Sequence, residues 1–335
     1  MTGAVPTAEM ERLVQKVFPS GAVERITPLA GDASARRYFR VSVGDSRSVV
    51  VMLAEDERAV GDFATMTGLM RDLGADTPAI HAASGRFAVL EDLGDTLLQD
   101  AVSGGMGARS LEEEYRRHVD DLLRFQERAA EYPDRSLRCF SLAFDEEKLM
   151  WEVEFANEHF LKGWLKRKIG PAALDGMRRE WGRVACDLAG ETETLAHRDL
   201  HSRNIMLTGE RRVWIDYQDA RMGRRQYDLA SLLLDPYTDL PADVERALAD
   251  YYYEKLSETS RPPWSHGRFI ELYRLSGVQR LYKALGTYGY QASVRGVDAY
   301  SRHIPPAART LMRLLGSSES LAALAELLRD ALDGF

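Results

Sequence analysis

His197-Arg198-Asp199-Leu200-His201-Ser202-Arg203-Asn204, with Trp214-Ile215-Asp216 after one short hairpin, is the stretch from which the fold and chemistry of this chain are read. It sets a carboxylate, an amide and a second carboxylate in one loop and one hairpin. Ile205 to Leu207 and Arg212 to Ile215 alternate around a Gly209-Glu210 turn, which predicts two antiparallel strands that carry Asp216 back beside Asn204. Phosphoryl transfer through a loose transition state needs a carboxylate near the acceptor hydroxyl and oxygen ligands for hard Mg²⁺. Asp199 is therefore the expected catalytic base, and Asn204 and Asp216 the expected metal ligands.

The letters also fit the kinase pattern H-R-D-x-x-x-x-N, and the rest of the chain is organised to suit it. Glu9 to Phe18 has helical spacing, Tyr38 to Val43 and Ser48 to Leu53 read as strands, Asp62 to Leu73 as a helix, and Phe87 to Leu90 as a further strand. After that strand the apolar spacing turns helical. Ser110-Leu111-Glu112-Glu113 has the form of a capping box, and Leu111, Tyr115, Val119, Leu122 and Leu123 follow as one stripe. The expected fold class is α+β, a protein-kinase-like bilobal arrangement. Residues 1–92 would form a small antiparallel sheet with a helix that binds the nucleotide; residues 93–335 would form a mostly helical lobe with the catalytic loop and the acceptor site.

Before the strand at Tyr38 lie Gly31, Asp32, Ala33 and Ser34, small enough for a backbone to approach phosphates, though a plain turn has the same composition. The strand Val49 to Leu53 should carry a Lys for the α/β-phosphates, yet it has Met52. Arg36 and Arg37 are the candidates to replace that charge. Glu91, Asp92 and Leu93, at the end of the last strand, would offer their backbone to adenine.

Composition narrows the class. With 44 Lys and Arg against 52 Asp and Glu, the net charge is −8 and the pI about 5.5. That balance argues against nucleic acid or an anionic membrane as partner. Cys139 and Cys186 lack metal-ligand spacing and are expected to be buried, inert thiols. Met1 to Met10 has neither the basic start nor the apolar run of a signal peptide, and no stretch is long enough to span a bilayer, so a cytoplasmic protein is expected; the sequence leaves open whether it works as a monomer.

These residues together resemble the aminoglycoside phosphotransferase and choline kinase superfamily, in which His often stands at the position of His201. The chain reaches Tyr227-Asp228 soon after Asp216, which leaves no room for a long activation segment; Asp228 resembles the superfamily Asp that supports the catalytic loop. Within the superfamily, Gly31 to Ser34 with Arg37 to Val41, Leu90 to Asp95, His201 to Asn204, Asp216 to Ala220, and Gln279-Arg280 with Lys283 to Gly286 are similar to bacterial N-acetylmuramate/N-acetylglucosamine anomeric kinases. Met at the position of Met52 is usual there. The resemblance implies ATP and Mg²⁺ as cofactors, an amino-sugar substrate phosphorylated at C1, and a place in peptidoglycan recycling. For such an acceptor the candidate contacts are His201, unless it is a structural hydrogen-bonding group, Arg203, the carboxylates Asp219 and Glu154, unless they are plain surface acids, and Arg280 and Lys283 on a later helix. Arg280 or Lys283 would meet a lactyl carboxylate, unless both point outward as ordinary helix charges. Trp151, Phe155, Phe160 and Trp164 are expected in the core. A kinase for another small alcohol, aminoglycoside, choline-like or homoserine-like, is the alternative; a non-catalytic nucleotide-binding protein is the third reading.

Overall fold

The structure, a computed structural model, describes residues 7–29, 36–44, 47–190, 193–259, 264–333 and 335. The chain divides into two compact units: Met1–Leu97 with Ile205–Gln218, and Leu98–Asn204 with Asp219–Phe335.

The first unit holds helix α1 (Thr7–Val17), strands β1 (Val23–Leu29), β2 (Arg37–Val43) and β3 (Arg47–Leu53), helix α2 (Glu57–Asp72), and strands β4 (Ile80–Ser84) and β5 (Phe87–Glu91). The strands form one antiparallel sheet in the order β1-β2-β3-β5-β4. Alternation in β2 and β3 puts Phe39, Val41 and Val43 opposite Val51, Val49 and Arg47, and the apolar members close over Met10, Leu13 and Val14 of α1. Strand β1 was not evident in the sequence, because its two-in-three exposed pattern and its Pro28 obscure a period of two. Pro is tolerated there because β1 is an edge strand. Asp56 caps α2, its carboxylate accepting from the Ala59 N–H at 2.8 Å.

The expected hairpin forms as β7 (Ile205–Thr208) and β8 (Arg211–Trp214), with Ile205 opposite Trp214. It belongs to the first unit. The Leu207 N–H donates to the Thr96 carbonyl (2.9 Å), the Trp214 N–H to that of Asp76 (2.8 Å), and Arg211 bridges the Asp76 and Glu91 carboxylates.

The second unit is built from helices α3 (Leu98–Ser103), α4 (Ala108–Glu131), α5 (Arg138–Ser141), α6 (Glu146–Ala156), α7 (Pro171–Ala189), α8 (Arg225–Leu233), α9 (Ala242–Thr259), α10 (His266–Ser293), α11 (Ile304–Leu315) and α12 (Ala322–Leu332), with strands β6 (Thr194–Ala196) and β9 (Arg221–Gly223) paired antiparallel. The stripe Leu111, Tyr115, Val119, Leu122 and Leu123 is buried as expected. The capping box is not used: α4 starts at Ala108 with Gly107 as its cap, and the Leu111 N–H already closes on the Gly107 carbonyl at 2.9 Å, so Ser110 lies inside the first turn.

Helix α10 is the axis of this unit and lies against α6 and the π-helical turn Asn157–Trp164 that continues it. Gly286 and Gly289 allow that approach: a Cβ on Gly286 would stand 2.7 Å from the Ala156 Cα, and one on Gly289 2.9 Å from the Phe160 Cα. Two core expectations fail. Trp151 is 57% exposed, whereas Phe160 is fully buried, and Cys186 is exposed while Cys139 is buried. Among the described residues no helix is long and apolar enough to cross a membrane.

Candidate active site

The loop His197–Asn204 leaves β6 and is held from below by two buried carboxylates. Asp228 on α8 accepts the backbone N–H groups of His197 (2.6 Å) and Arg198 (3.0 Å), and Asp235 accepts that of Ser202 (2.8 Å). Burial pushes the Asp228 carboxyl up to about 7 although both N–H groups favour its charged form. Arg198 has φ +84°, a left-handed conformation that costs a non-glycine residue about 1–3 kcal/mol and persists only where its surroundings fix it. The loop ends in a 3₁₀ turn, Ser202–Asn204, where the Asn204 Nδ2 donates to the Asp199 carbonyl at 2.9 Å. With its nitrogen so committed, the amide has Oδ1 to offer, an oxygen ligand of the kind Mg²⁺ takes.

Asp199 is the electrostatic centre of the second unit. Its Oδ1 lies 2.9 Å from Lys283 Nζ and 3.5 Å from Arg280 Nη1, and its Oδ2 lies 3.8 Å from Arg198 Nε. Burial opposes its charge, but Lys283, then Arg280 and Arg198, outweigh it and hold the carboxyl well below the usual carboxylate range. The group is thus charged at neutral pH, able to orient a hydroxyl and receive its proton. Lys283 and Arg280, one turn apart on α10, point inward, so the outward alternative does not hold. Both line a cavity with Asp199, His201, Tyr237 and Tyr288. The Arg280 side chain is 10% exposed.

His201 is neutral there, since burial and then Arg280 push it down to about 3. Its ring meets Tyr237 edge-on at 5.3 Å, and among the described residues its buried Nδ1 has no hydrogen-bond partner. Arg203 stacks over Tyr237 at 5.0 Å. Asp219 accepts from Arg198 Nη1 at 2.8 Å. Glu154 faces elsewhere: its carboxylate takes Arg178 Nε at 2.8 Å on α7 and the Asn157 amide at 3.2 Å. Its neighbour on the other face of α6, Glu152, is the one near the loop, 2% exposed, 2.9 Å from Gln279 Nε2 and 3.6 Å from Arg198 Nη2. The sequence reading missed Glu152. The signal was there, for it falls on the buried stripe with Leu149, Val153 and Ala156, where a carboxylate must be paired.

In the first unit Asp216 follows β8 with φ +66°, a second non-glycine left-handed residue in the motif, and its Oδ1 accepts from Gln218 Nε2 at 2.6 Å. Met52 is fully buried. Arg36 lies over the Phe63 ring (5.5 Å) and Arg37 over that of Phe39 (5.2 Å). Glu91 accepts the Ala79 N–H and pairs with Arg211, while Asp92 pairs with Arg40 and accepts the Gly94 N–H, so both side chains brace the backbone that leads to Leu93. Gly31, Asp32, Ala33 and Ser34 lie outside the described residues.

Comparison with known proteins follows the same line. The model described as "Phosphotransferase enzyme family" matches residues 25–263. A curated N-acetylmuramate/N-acetylglucosamine kinase from Neisseria meningitidis serogroup B is 28% identical over 96% of this chain and 94% of its own length. One of the same description from Pseudomonas aeruginosa is 29% identical over 90% and 87%. Among solved structures, ADP-bound aminoglycoside phosphotransferase APH(2'')-Ib superposes with a TM-score of 0.61 at 14% identity, covering 92% of this chain and 99% of that one. A choline/ethanolamine kinase family protein from Mesorhizobium loti gives 0.60 at 16%, covering 96% and 99%. At these identities the structural likeness carries the fold alone.

Proposed function

The chain belongs to the phosphotransferase enzyme family, and from that premise we propose that it transfers the γ-phosphoryl group of ATP to the anomeric C1 hydroxyl of N-acetylmuramic acid and N-acetylglucosamine, in the cytoplasm, as a step of peptidoglycan recycling. The observation that carries the choice of acceptor is the charge around Asp199. A cavity lined by Lys283 and Arg280 suits a neutral sugar or one bearing a carboxylate, and opposes the ammonium groups of an aminoglycoside or a choline-like alcohol. The curated relatives named above support the same acceptor class.

In this proposal Asp199 orients the sugar hydroxyl and receives its proton. Arg280, whose planar fork matches a carboxylate, meets the lactyl group of the muramic acid. His201, Arg203 and Asp219 complete the acceptor contacts, His201 through its unpartnered Nδ1. Glu154, held by Arg178, is the weakest member of the proposed set. The backbone of Glu91 to Leu93 receives adenine, and Gly31 to Ser34 with Arg36 and Arg37 cover the phosphates. Asn204 and Asp216 are proposed to hold Mg²⁺, which when bound neutralises phosphate charge.

The test is a panel of acceptors with Mg·ATP, read as ADP release. N-acetylmuramate and N-acetylglucosamine should be turned over and kanamycin and choline should not. Turnover of a cationic acceptor in preference to both sugars would overturn the proposal.

A further inference from the structure

Phosphoryl transfer spreads negative charge over the equatorial oxygens of the moving group, and a cation has to meet it. Mg²⁺, Arg36 and Arg37 are proposed above for the phosphates of the nucleotide, and the two positions of the kinase pattern that could add a side-chain cation at the moving group supply none. The strand position that carries Lys in the kinase pattern is the buried Met52, and the one cation of β3, Arg47, lies over the Phe18 ring at 5.0 Å. In the catalytic loop, the residue two places after Asp199 is His201, an imidazole packed edge-on against Tyr237 in the cavity that Arg280 also lines, not a lysine.

A cation is nonetheless in place at the other partner of the reaction. Lys283 Nζ stands 2.9 Å from Asp199 Oδ1, its side chain 14% exposed, on the stretch of α10 fixed by Gly286 against Ala156. A phosphoryl group that reaches a hydroxyl held on the Oδ1 side of Asp199 arrives beside that ammonium. Resting on the phosphotransfer reading, we infer that Lys283 is a catalytic residue, the counter-charge for the phosphoryl group as it passes to the acceptor.

The charges balance through the step. The sugar oxygen forms its bond to the γ-phosphorus as the bond to the β–γ bridging oxygen breaks, and ADP leaves with that electron pair. The hydroxyl proton goes to Asp199. As Asp199 is neutralised, the ammonium loses its carboxylate partner and gains the new phosphate ester as another. A buried ammonium is thereby paired before and after transfer, which avoids the penalty of an isolated charge. Its single point charge on a flexible stem suits this handover, whereas the fixed fork of Arg280 suits a static carboxylate.

The experiment uses N-acetylglucosamine, which has no carboxylate, so that a role in binding the lactyl group drops out. Lys283→Met should lower kcat by about 10²- to 10³-fold with little change in either KM, and Lys283→Arg should recover part of the loss. A second readout is binding. The affinity of the full chain for MgADP with fluoroaluminate and sugar, a mimic of the transferring group, should fall in Lys283→Met by a similar factor, with MgADP alone bound as before. Should Lys283→Met fail to fold, Lys283→Gln, which keeps a hydrogen bond to Asp199 without the charge, carries the same expectations. Undiminished kcat, or undiminished fluoroaluminate binding, in a folded variant overturns the inference. Failure of the wild-type chain to phosphorylate any acceptor instead overturns the phosphotransfer reading beneath it.

Discussion

The charge cluster around the catalytic loop of the second unit differs from the ion pairs that brace the strand ends of the first. In the first, acids and bases cancel near the surface: Arg211, 42% exposed, bridges Asp76 and Glu91, and Arg40 joins Asp92 to Asp95. In the second, Asp199 sits among Lys283, Arg280 and Arg198, all at most 15% exposed, with Glu152 behind them at 2%. The exposed pairs among these, such as Arg211–Asp76, are worth about 0–1 kcal/mol, and all of them brace a scaffold. Buried charges of the second kind carry a desolvation cost that apolar packing would avoid, and such clusters concentrate at functional sites. The contrast separates charges that brace the fold from those proposed to act on a substrate.

The largest effect should come from Asp199→Asn, which removes the proposed proton acceptor. We expect kcat to fall by about 10²- to 10⁴-fold with nucleotide affinity little altered, as steady-state kinetics and a nucleotide titration would show. Next is Gly289→Ala. Its Cβ would meet the His159 carbonyl, and thermal unfolding should reveal a loss of about 1–3 kcal/mol as α10 is pushed from the π-helical turn.

Acidification offers a smaller test. His201 is held down to about 3 in the fold, below its ordinary value near 6.5, so between those values the unfolded chain binds a proton that the native one does not. The contribution of His201 to stability is then full above about pH 6.5 and is lost as pH falls; His303, held down to about 4, adds to that slope, and Asp228, pushed up to about 7, opposes it. In His201→Gln the slope of stability against pH should lose close to one proton's worth, and an unchanged slope would contradict the neutral assignment. The smallest effect belongs to the first unit. Arg211→Gln should cost about 1 kcal/mol or less in chemical denaturation and leave kcat alone.

Local patterns were legible and distant ones were not. The hairpin, the strands β2, β3 and β5, and the stripe of α4 rest on periods of two and 3.6 within single windows, and they form where the periods put them. The loop was legible because its chemistry needs close spacing. Lys283 could be named as a candidate, yet its engagement with Asp199 spans 84 residues and depends on Gly286 letting α10 approach Ala156. Asp235 was missed because a carboxylate beside Pro236 looks like any loop residue until the Ser202 N–H is found on it. The end of the first unit at Leu97, beyond the expected Asp92, follows from backbone bonds such as Leu207 to Thr96 that no local window contains.

The most direct test of the proposed activity is phosphorus NMR of the product formed from Mg·ATP and N-acetylmuramate. Proton-coupled spectra should show the phosphorus of the new ester split by the anomeric proton, placing the phosphate on C1. A phosphorus coupled instead to the C6 methylene protons, or no ester at all, would contradict it.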